Sequence, residues 1–267
     1  MDELNSSSKF SNNAHINKAD RDQIIDTCLI AGRIMVESGS ETYRVEDTMR
    51  RIAQNAGLPD STLFTTPTGI FMGVKNDCGM QLREIHKRDI NLEKISRVNQ
   101  LSRSFASGNI TLQQLHQYLI QVEQNTSSFL LWQQFFCAGI LSGMFMIMFS
   151  GQLDWFDLPM SCILGAVGYA SNYYISVLTN INFLSQFVAS FNIGILAVLA
   201  VKLGLGHDIN NMIIGAVMPL VPGVAITNSV RDLLAGHLMT GMARGVEAIL
   251  YAGAIGVGIA LVFRFFY

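Results

Sequence analysis

The stretch Pro219-Leu220-Val221-Pro222-Gly223 lies inside an apolar segment, residues 209–230, that is long enough to cross a bilayer. Each proline lacks a backbone N–H and clashes with the carbonyl group four residues earlier, so two prolines three residues apart predict a broken helix. In lipid, the freed backbone groups are tolerated only where they face protein or a water-filled cavity. Transporters build substrate sites at such breaks, so this stretch favours a transport function.

Charge is distributed unevenly on either side of residue 129. Of the 18 Lys and Arg residues 14 precede it, as do 15 of the 20 Asp and Glu residues. The pattern predicts a disordered tail (1–19), a cytosolic α+β domain (20–123) and an all-α transmembrane domain (129–267). The fold class is therefore a membrane protein: a small soluble domain followed by five transmembrane helices, of which the fourth is broken by proline.

The soluble domain has clear local signals. Apolar residues at three- and four-residue steps predict a helix from Asp20 that ends at Ser38-Gly39-Ser40, and Ser40 is predicted to cap a second helix, Glu41 to about Ala56. Residues 62–85 are typical of β-strands, with a hairpin turn at 76–79. Helices over about 92–106 and, capped by Thr111, to about 123 complete the domain.

Beyond residue 129 the length of each apolar run gives the number of spans, because a helix needs about 20 residues to cross the bilayer. Five spans are predicted, at about 130–150, 158–178, 183–203, 209–230 and 243–264. Arg231 and Arg244 follow the fourth span, whereas the loop after the first carries only Asp154 and Asp157. By the positive-inside rule the N-terminal domain is cytoplasmic and the chain is a multi-pass protein of the cell membrane.

Several function classes are disfavoured. Net charge is −2 and no basic patch alternates with aromatic residues, so nucleic acid is not an expected partner. The four cysteines lack metal-ligand spacing, so no metal site or disulfide is predicted. No hydrolase elbow or phosphate-binding loop is present, so we expect no enzymatic activity, no cofactor and no direct coupling to ATP. A small-molecule substrate and the lipid bilayer are the expected partners.

Three blocks of sequence resemble the threonine/serine exporter family. The first is Pro219-x2-Pro222-Gly223-x4-Asn228-x2-Arg231-Asp232-x3-Gly236-x4-Gly241-x2-Arg244. The second is Glu37-Ser38-Gly39-Ser40-Glu41-Thr42-x-Arg44-Val45-Glu46. The third begins at Pro67-Thr68-Gly69-Ile70 and continues with Arg83, Arg88, Asn91-Leu92-Glu93-Lys94 and Asn99.

The resemblance implies an exporter of threonine and serine, or of dicarboxylates such as succinate in some split pairs. Some members are single chains of about ten spans, whereas this sequence stops directly after a fifth. It is therefore similar to the large subunit of a two-component form, whose other half is a small all-membrane partner subunit.

Two interpretations are open for the broken fourth span. Pro219, Pro222 and Gly223 expose carbonyl groups and a helix N-terminus to a substrate, or they form a packed kink. Asn228 and Asp232 lie four apart on one helical face. Asp232 binds a substrate ammonium or a coupling proton, or it forms an ion pair with Arg231 or Arg244, or it caps a helix. The transport interpretation predicts that Asp232→Asn abolishes export at an unchanged protein level.

The remaining polar residues of the spans carry similar alternatives. Arg244 and Glu247 are spaced to pair, and each is also a candidate for the substrate or ion pathway, with Glu247 as a proton carrier. Three residues are predicted to form interhelical hydrogen bonds or to line the path: Asn172, Gln186 and Asn192.

The soluble-domain motif Glu41, Arg44 and Glu46 either complements the dipole of the second helix or forms a sensor or docking surface. Glycine pairs in the spans indicate close helix packing within the chain, or a face for a homo-oligomer. The favoured function is a proton-coupled exporter subunit. The alternative is a membrane-anchored sensor whose cytosolic domain is the active part.

Overall fold

The computed structural model describes residues 17–75, 79–85, 89–125, 129–151 and 154–266. They form two compact units. The first unit takes its residues from 1–126 and from Asn228–Ala243, and the second from Ser127–Thr227 and Arg244–Tyr267. The first unit thus contains a short stretch from far along the chain. The predicted tail falls mostly outside the described residues, and the first helix begins at Lys18.

Two helices form the centre of the first unit. Helix α1, Lys18–Glu37, ends at the predicted position and is followed by Gly39 in the left-handed conformation (φ +84°), which suits glycine after a helix C-terminus. Helix α2, Thr42–Asn55, buries Val45, Met49 and Ile52. The predicted Ser40 cap is wrong, because the N-cap residue is Glu41 and its side chain makes no capping hydrogen bond.

The predicted β-region forms a three-stranded antiparallel sheet in the order β1-β2-β3. The strands are β1 (Ser61–Thr65), β2 (Gly69–Val74) and β3 (Met80–Glu84), and Phe64 pairs with Phe71, which pairs with Leu82. Three residues of the predicted hairpin turn, 76–78, lie outside the described residues.

Helices α3 (Leu92–Ala106) and α4 (Leu112–Asn125) follow the sheet. The predicted cap of α4 is confirmed, since Thr111 Oγ1 accepts the N–H of Gln114. The core of the unit collects apolar side chains from α1, α2, β2 and α4, and Cys28 lies within it. Burial raises the pKa of the Cys28 thiol to about 12, so it behaves as a small apolar side chain.

The second unit is helical. Its elements are α5 (Leu131–Ser150), α6 (Asp157–Thr179), α7 (Asn182–Lys202), α8 (Ile209–Val217) and a 3-10 turn (Met218–Leu220). Helix α9 (Gly223–Leu234) begins in this unit, and α10 (Leu238–Phe266) runs through most of its length in it. Its core is formed by α6, α7, α8 and α10.

Apolar length identifies which helices can cross a membrane. Among the described residues, α5, α7 and α10 are long and apolar enough, and α8 with α9 adds a fourth if the two form one span. Those two pieces are bent by 60° at the break. Helix α6 coincides with the predicted second span but is not among these helices. The count of five spans and the proline-broken fourth span stay predictions.

The glycine pairs differ in their surroundings. A Cβ on Gly139 would lie 2.8 Å from the carbonyl oxygen of Cys162, and one on Gly165 would lie 1.8 Å from Ser142 Oγ. These glycines therefore let α5 and α6 approach closely. A Cβ on Gly253 or Gly256 would meet no described atom within 4 Å. Packing within the chain therefore explains Gly139 and Gly165, and both interpretations stay predictions for Gly253 and Gly256.

Candidate functional site

Asp232 caps the N-terminus of α2. Its side chain is fully buried, and Oδ1 accepts the backbone N–H of Thr42 at 2.9 Å while Oδ2 accepts the Thr42 hydroxyl at 3.1 Å. Thr42 is the first residue of α2, where a free N–H group needs an acceptor and the helix dipole favours a negative charge. Asp232 supplies both in place of the N-cap side chain of Glu41.

Asn228 lies one turn before Asp232 on the same face of α9. Its Nδ2 donates to the carbonyl oxygen of Gly39 at 2.8 Å, and Asn228 is itself buried. The two predicted pathway residues therefore contact the loop after α1 and the first residue of α2.

Glu41 connects the same two regions by charge. Its side chain is buried, and it accepts from Arg231 Nη1 at 2.5 Å and from Arg44 Nη1 at 3.1 Å. Burial raises the pKa of Glu41, but its backbone hydrogen bond and the two guanidinium groups outweigh burial and hold the pKa below the ordinary value. Glu46 Oε1 lies 4.0 Å from His237 Nδ1.

These contacts define the motif junction: Gly39, Glu41 and Thr42 bonded to Asn228, Arg231 and Asp232. It joins two of the three blocks that suggested the family resemblance, and all six residues belong to the first unit. Among the alternatives for Asp232, this geometry favours the helix cap. A role in substrate or proton binding stays a prediction. The partner of Arg231 in the junction is Glu41.

A second group of polar residues lies in the second unit. Tyr251 donates to Glu247 Oε1 at 2.9 Å within α10, and Asn182 Nδ2 donates to the Tyr251 hydroxyl at 3.5 Å. Ser176 of α6 donates to Asn182 Oδ1 at 3.0 Å. A carboxylate is thus connected through a phenol to the turn between α6 and α7.

Further polar pairs follow between α6 and α7. Ser185 Oγ donates to Asn172 Oδ1 at 2.8 Å, and Asn192 Nδ2 donates to Ser171 Oγ at 3.4 Å. The predicted interhelical hydrogen bonds of Asn172 and Asn192 are therefore confirmed. Gln186 differs, because its buried Oε1 has no hydrogen-bond partner among the described residues. The hydrogen-bonded polar side chains of this second group are Ser171, Asn172, Ser176, Asn182, Ser185, Asn192, Glu247 and Tyr251.

The other predicted pathway residues of the second unit are placed as follows. Pro219 lies in the 3-10 turn, and the carbonyl oxygen of Pro222 accepts the N–H of Ile226 in the first turn of α9. Gly223 begins α9, and a Cβ there would meet no described atom within 4 Å. Arg244 is buried in α10, six residues after its start.

Among the described residues, one group of side chains has atoms close enough to hold a metal ion: Asp154, Asp157 and His207. The carboxylates of this group accept hydrogen bonds from backbone N–H groups. The two carboxylate oxygens of Asp157, which is 1% exposed, accept the backbone N–H groups of His207 and Asp208 at 2.7 and 2.8 Å. Asp154 Oδ1 accepts the N–H of Phe156. These hydrogen bonds hold the loop before α8 against the start of α6.

Sequence reasoning missed three of these residues. Thr42 is in the second quoted block, but nothing local indicates that its partner is 190 positions away. Tyr251 follows Glu247 by four residues, a spacing that permits a side-chain bond on a helix and therefore offered a signal. Asp157 was assigned only to a loop, although an acidic residue before an apolar run is a typical helix start.

Comparison with known proteins agrees with the resemblance. Residues 26–266 match the family ThrE, described as “Putative threonine/serine exporter”. A Mycobacterium tuberculosis protein named “Probable threonine/serine exporter” is 23% identical over 250 residues, covering 91% of this chain and 46% of that protein. A Corynebacterium glutamicum “Threonine/serine exporter” is 24% identical over 265 residues, covering 93% of this chain and 53% of the relative.

No solved structure matches the chain. The chain spans about half the length of the curated relatives it matches. Because the family match runs through both units, from α1 to the end of α10, the chain belongs to the threonine/serine exporter family.

Proposed function

We propose that this chain is one subunit of a secondary exporter that moves threonine or serine out of the cell. The observation that carries the proposal is the family match over residues 26–266, supported by two relatives named as threonine/serine exporters. A small dicarboxylate such as succinate is the alternative substrate, as the resemblance of the sequence to split pairs implies. Helices of membrane-spanning length and composition are consistent with this function.

A small all-membrane partner subunit would supply the other half. The support is the resemblance of the sequence blocks to the large subunit of the two-component form. The outward position of Gly253 and Gly256 on α10 is compatible with close approach of another helix. In a homo-oligomer, the same two glycines would let a helix of a second copy approach closely.

The pathway would run through the second unit. The break at Pro219, Pro222 and Gly223 frees backbone groups, and Asn192, Arg244 and Glu247 add polar and charged side chains to apolar helices. Glu247 would carry the coupling proton. Asn228 and Asp232 belong to the first unit, where their bonds to Gly39 and Thr42 support a structural role over substrate contact.

The proposed topology has five spans and a cytoplasmic N-terminal domain. Helix α6 would be the second span, although it is less apolar than the others. Arg231 and Arg244 near the end of the fourth span support a cytoplasmic position for that end. A cysteine placed at an exposed surface position of the first unit, such as Tyr118, would then react with an impermeant thiol reagent only after the membrane is opened.

The test is uptake of labelled threonine and labelled succinate into inverted membrane vesicles of the source organism. Vesicles from wild-type cells are compared with vesicles from cells that lack this chain and from cells that carry Glu247→Gln. We expect threonine uptake that requires the chain, responds to an imposed pH difference and loses that response in Glu247→Gln.

The other outcomes separate the alternatives. Uptake of succinate instead of threonine would replace the substrate. Uptake of neither label, with the chain present in the membrane, would contradict the exporter function and favour the membrane-anchored sensor. Full-rate uptake by the purified chain alone in liposomes would contradict the need for a partner subunit.

A further inference from the structure

The side-chain oxygen of Gln186 is a buried acceptor in the middle of the polar residues of α7. Its Oε1 has no hydrogen-bond partner among the described residues, whereas Ser185 beside it and Asn192 further along are bonded to α6. A buried carbonyl oxygen without a donor costs free energy, so it needs an explanation. We propose that Gln186 Oε1 receives an N–H of the ammonium group of an amino-acid substrate, with Asn182, one turn away on α7, as a further acceptor.

Helix geometry places Gln186 between the two neighbours of α7. Ser185 bonds Asn172 of α6, so that side of α7 faces α6. On another side, a Cβ on Gly258 of α10 would lie 2.2 Å from Ser190 Oγ, so Ser190 faces α10. At 100° per residue, Gln186 points between these two directions. It therefore lies on the side of α7 that is shared by α6 and α10.

Asn182 occupies the same face four residues earlier, one helical turn away. Its Nδ2 donates to the Tyr251 hydroxyl, which itself donates to Glu247. Gln186 thus lies one turn from a group that ends in a carboxylate. Gln186 and Asn182 thus present amide oxygens on one face of α7, and the hydrogen bonds that start at Asn182 lead through Tyr251 to the Glu247 carboxylate.

This chemistry fits a primary ammonium. An ammonium group presents three N–H donors and a positive charge and accepts nothing, so it requires acceptors and benefits from a carboxylate. A dicarboxylate would place its own oxygens against those of Gln186 and Glu247. The site therefore selects an amino acid over a dicarboxylate. This inference rests on the proposed exporter function and adds a residue that binds the ammonium group of the substrate.

The test uses inverted vesicles from source-organism cells that express the full chain with any native partner. Initial rates of labelled threonine uptake are measured against threonine concentration for Gln186→Leu, Gln186→Glu and the control Ser190→Ala. Ser190 is on the same helix, and its hydroxyl donates to the carbonyl of Phe187. The amount of chain in each vesicle preparation is measured by immunoblot.

We expect Gln186→Leu to raise the KM for threonine at least about tenfold while the maximal rate per chain changes little, since a hydrogen bond to a charged group is lost from binding. Gln186→Glu keeps an acceptor and is expected to retain the KM within about threefold. The 2-hydroxy acid that lacks the amino group should compete poorly with threonine in wild type, and Gln186→Leu should narrow that difference.

A KM in Gln186→Leu equal to that of Ser190→Ala, with wild-type uptake intact, would overturn the ammonium site and leave the exporter function standing. Equal losses of maximal rate in Gln186→Leu and Gln186→Glu would assign Gln186 to structure and overturn it as well. Absence of threonine uptake in wild type would instead overturn the exporter function and this site with it.

Discussion

Asp232 Oδ1 accepts the backbone N–H of Thr42 at 2.9 Å, across 190 residues of sequence. This bond makes a residue of α9 the N-terminal cap of α2. It predicts different outcomes for two substitutions at one position, because a cap needs an acceptor oxygen whereas a proton or ammonium site needs a carboxylate.

Asp232→Ala removes the acceptor and should lower the free energy of unfolding of the first unit by about 1 kcal/mol, within the range of about 0.5–2 kcal/mol known for N-caps. Asp232→Asn keeps an acceptor and should retain most of that stability. Amide hydrogen exchange at the start of α2 measures the effect directly: protection should fall in the alanine variant and persist in the asparagine variant.

The same pair of variants distinguishes the two roles in transport. If Asp232 only caps α2, Asp232→Asn exports at close to the wild-type rate. Abolished export with an unchanged protein level and unchanged amide protection would instead assign the carboxylate to the substrate or the coupling proton.

Glu41 gives the first unit a pH-dependent contribution to stability. Its pKa in the folded protein lies below the ordinary value near about 4.3, so the folded state binds fewer protons than the unfolded state. The contribution is complete above the ordinary pKa and is lost as pH falls through the lowered pKa. The melting temperature of wild type should therefore exceed that of Glu41→Gln at neutral pH, and the difference should narrow as the pH falls below about 4. A difference that stays constant over this range would contradict the role given to the Glu41 charge.

Gly39 holds the carbonyl group that Asn228 contacts, and it adopts a φ of +84°. Gly39→Ala should lower the free energy of unfolding by about 1–2 kcal/mol because an L side chain is strained in this conformation. Asparagine tolerates the conformation better, so Gly39→Asn should be milder. Thermal unfolding of the purified protein compares them, and an alanine variant as stable as wild type would count against the left-handed turn.

Alanine substitutions at Gly165 and Gly253 test how closely helices pack in the second unit. A Cβ on Gly165 would lie 2.4 Å from Ser142 Cβ, so Gly165→Ala should destabilise the contact of α5 with α6 by about 1–3 kcal/mol. Ser142→Gly removes both clashing atoms and should restore stability. Gly253→Ala meets no described atom and serves as the matched control. Melting temperatures in detergent report the result, and equal losses in the two alanine variants would refute the packing difference.

Sequence reasoning recovered features that depend on neighbouring residues. The inner face of α2, formed by Val45, Met49 and Ile52, follows from helical periodicity, which acts within a few residues. The left-handed Gly39 and the Thr111 cap follow equally from local chemistry. The β-region was recognisable because threonine and aromatic residues are frequent in 62–85 and turn signals lie at 76–79.

The contacts of the candidate sites depend on the tertiary fold and were not predictable in the same way. Asp232 was singled out as a candidate for substrate or proton binding, an ion pair or a helix cap, and the choice between these roles depends on where a remote helix lies. Ser40 was predicted as the cap because it precedes α2. In the structure Glu41 is the N-cap residue, and the distant Asp232 accepts the backbone N–H of Thr42. Asn192 and Gln186 are both isolated amide side chains in the apolar sequence of α7, so the sequence does not distinguish them. Their hydrogen bonds differ because the two side chains point in different directions around the helix.

The composition of the first unit has a consequence for synthesis of the protein. Residues Asn228–Ala243 belong to that unit, so the bonds of Gly39 to Asn228, Glu41 to Arg231 and Thr42 to Asp232 can form only after the ribosome has translated α5 to α9. Until then the N-terminal residues can fold only without the cap of α2. Completion of this unit is therefore tied to insertion of the helices translated between its two parts, and a polypeptide that ends at residue 126 would leave the ribosome with the start of α2 uncapped by Asp232.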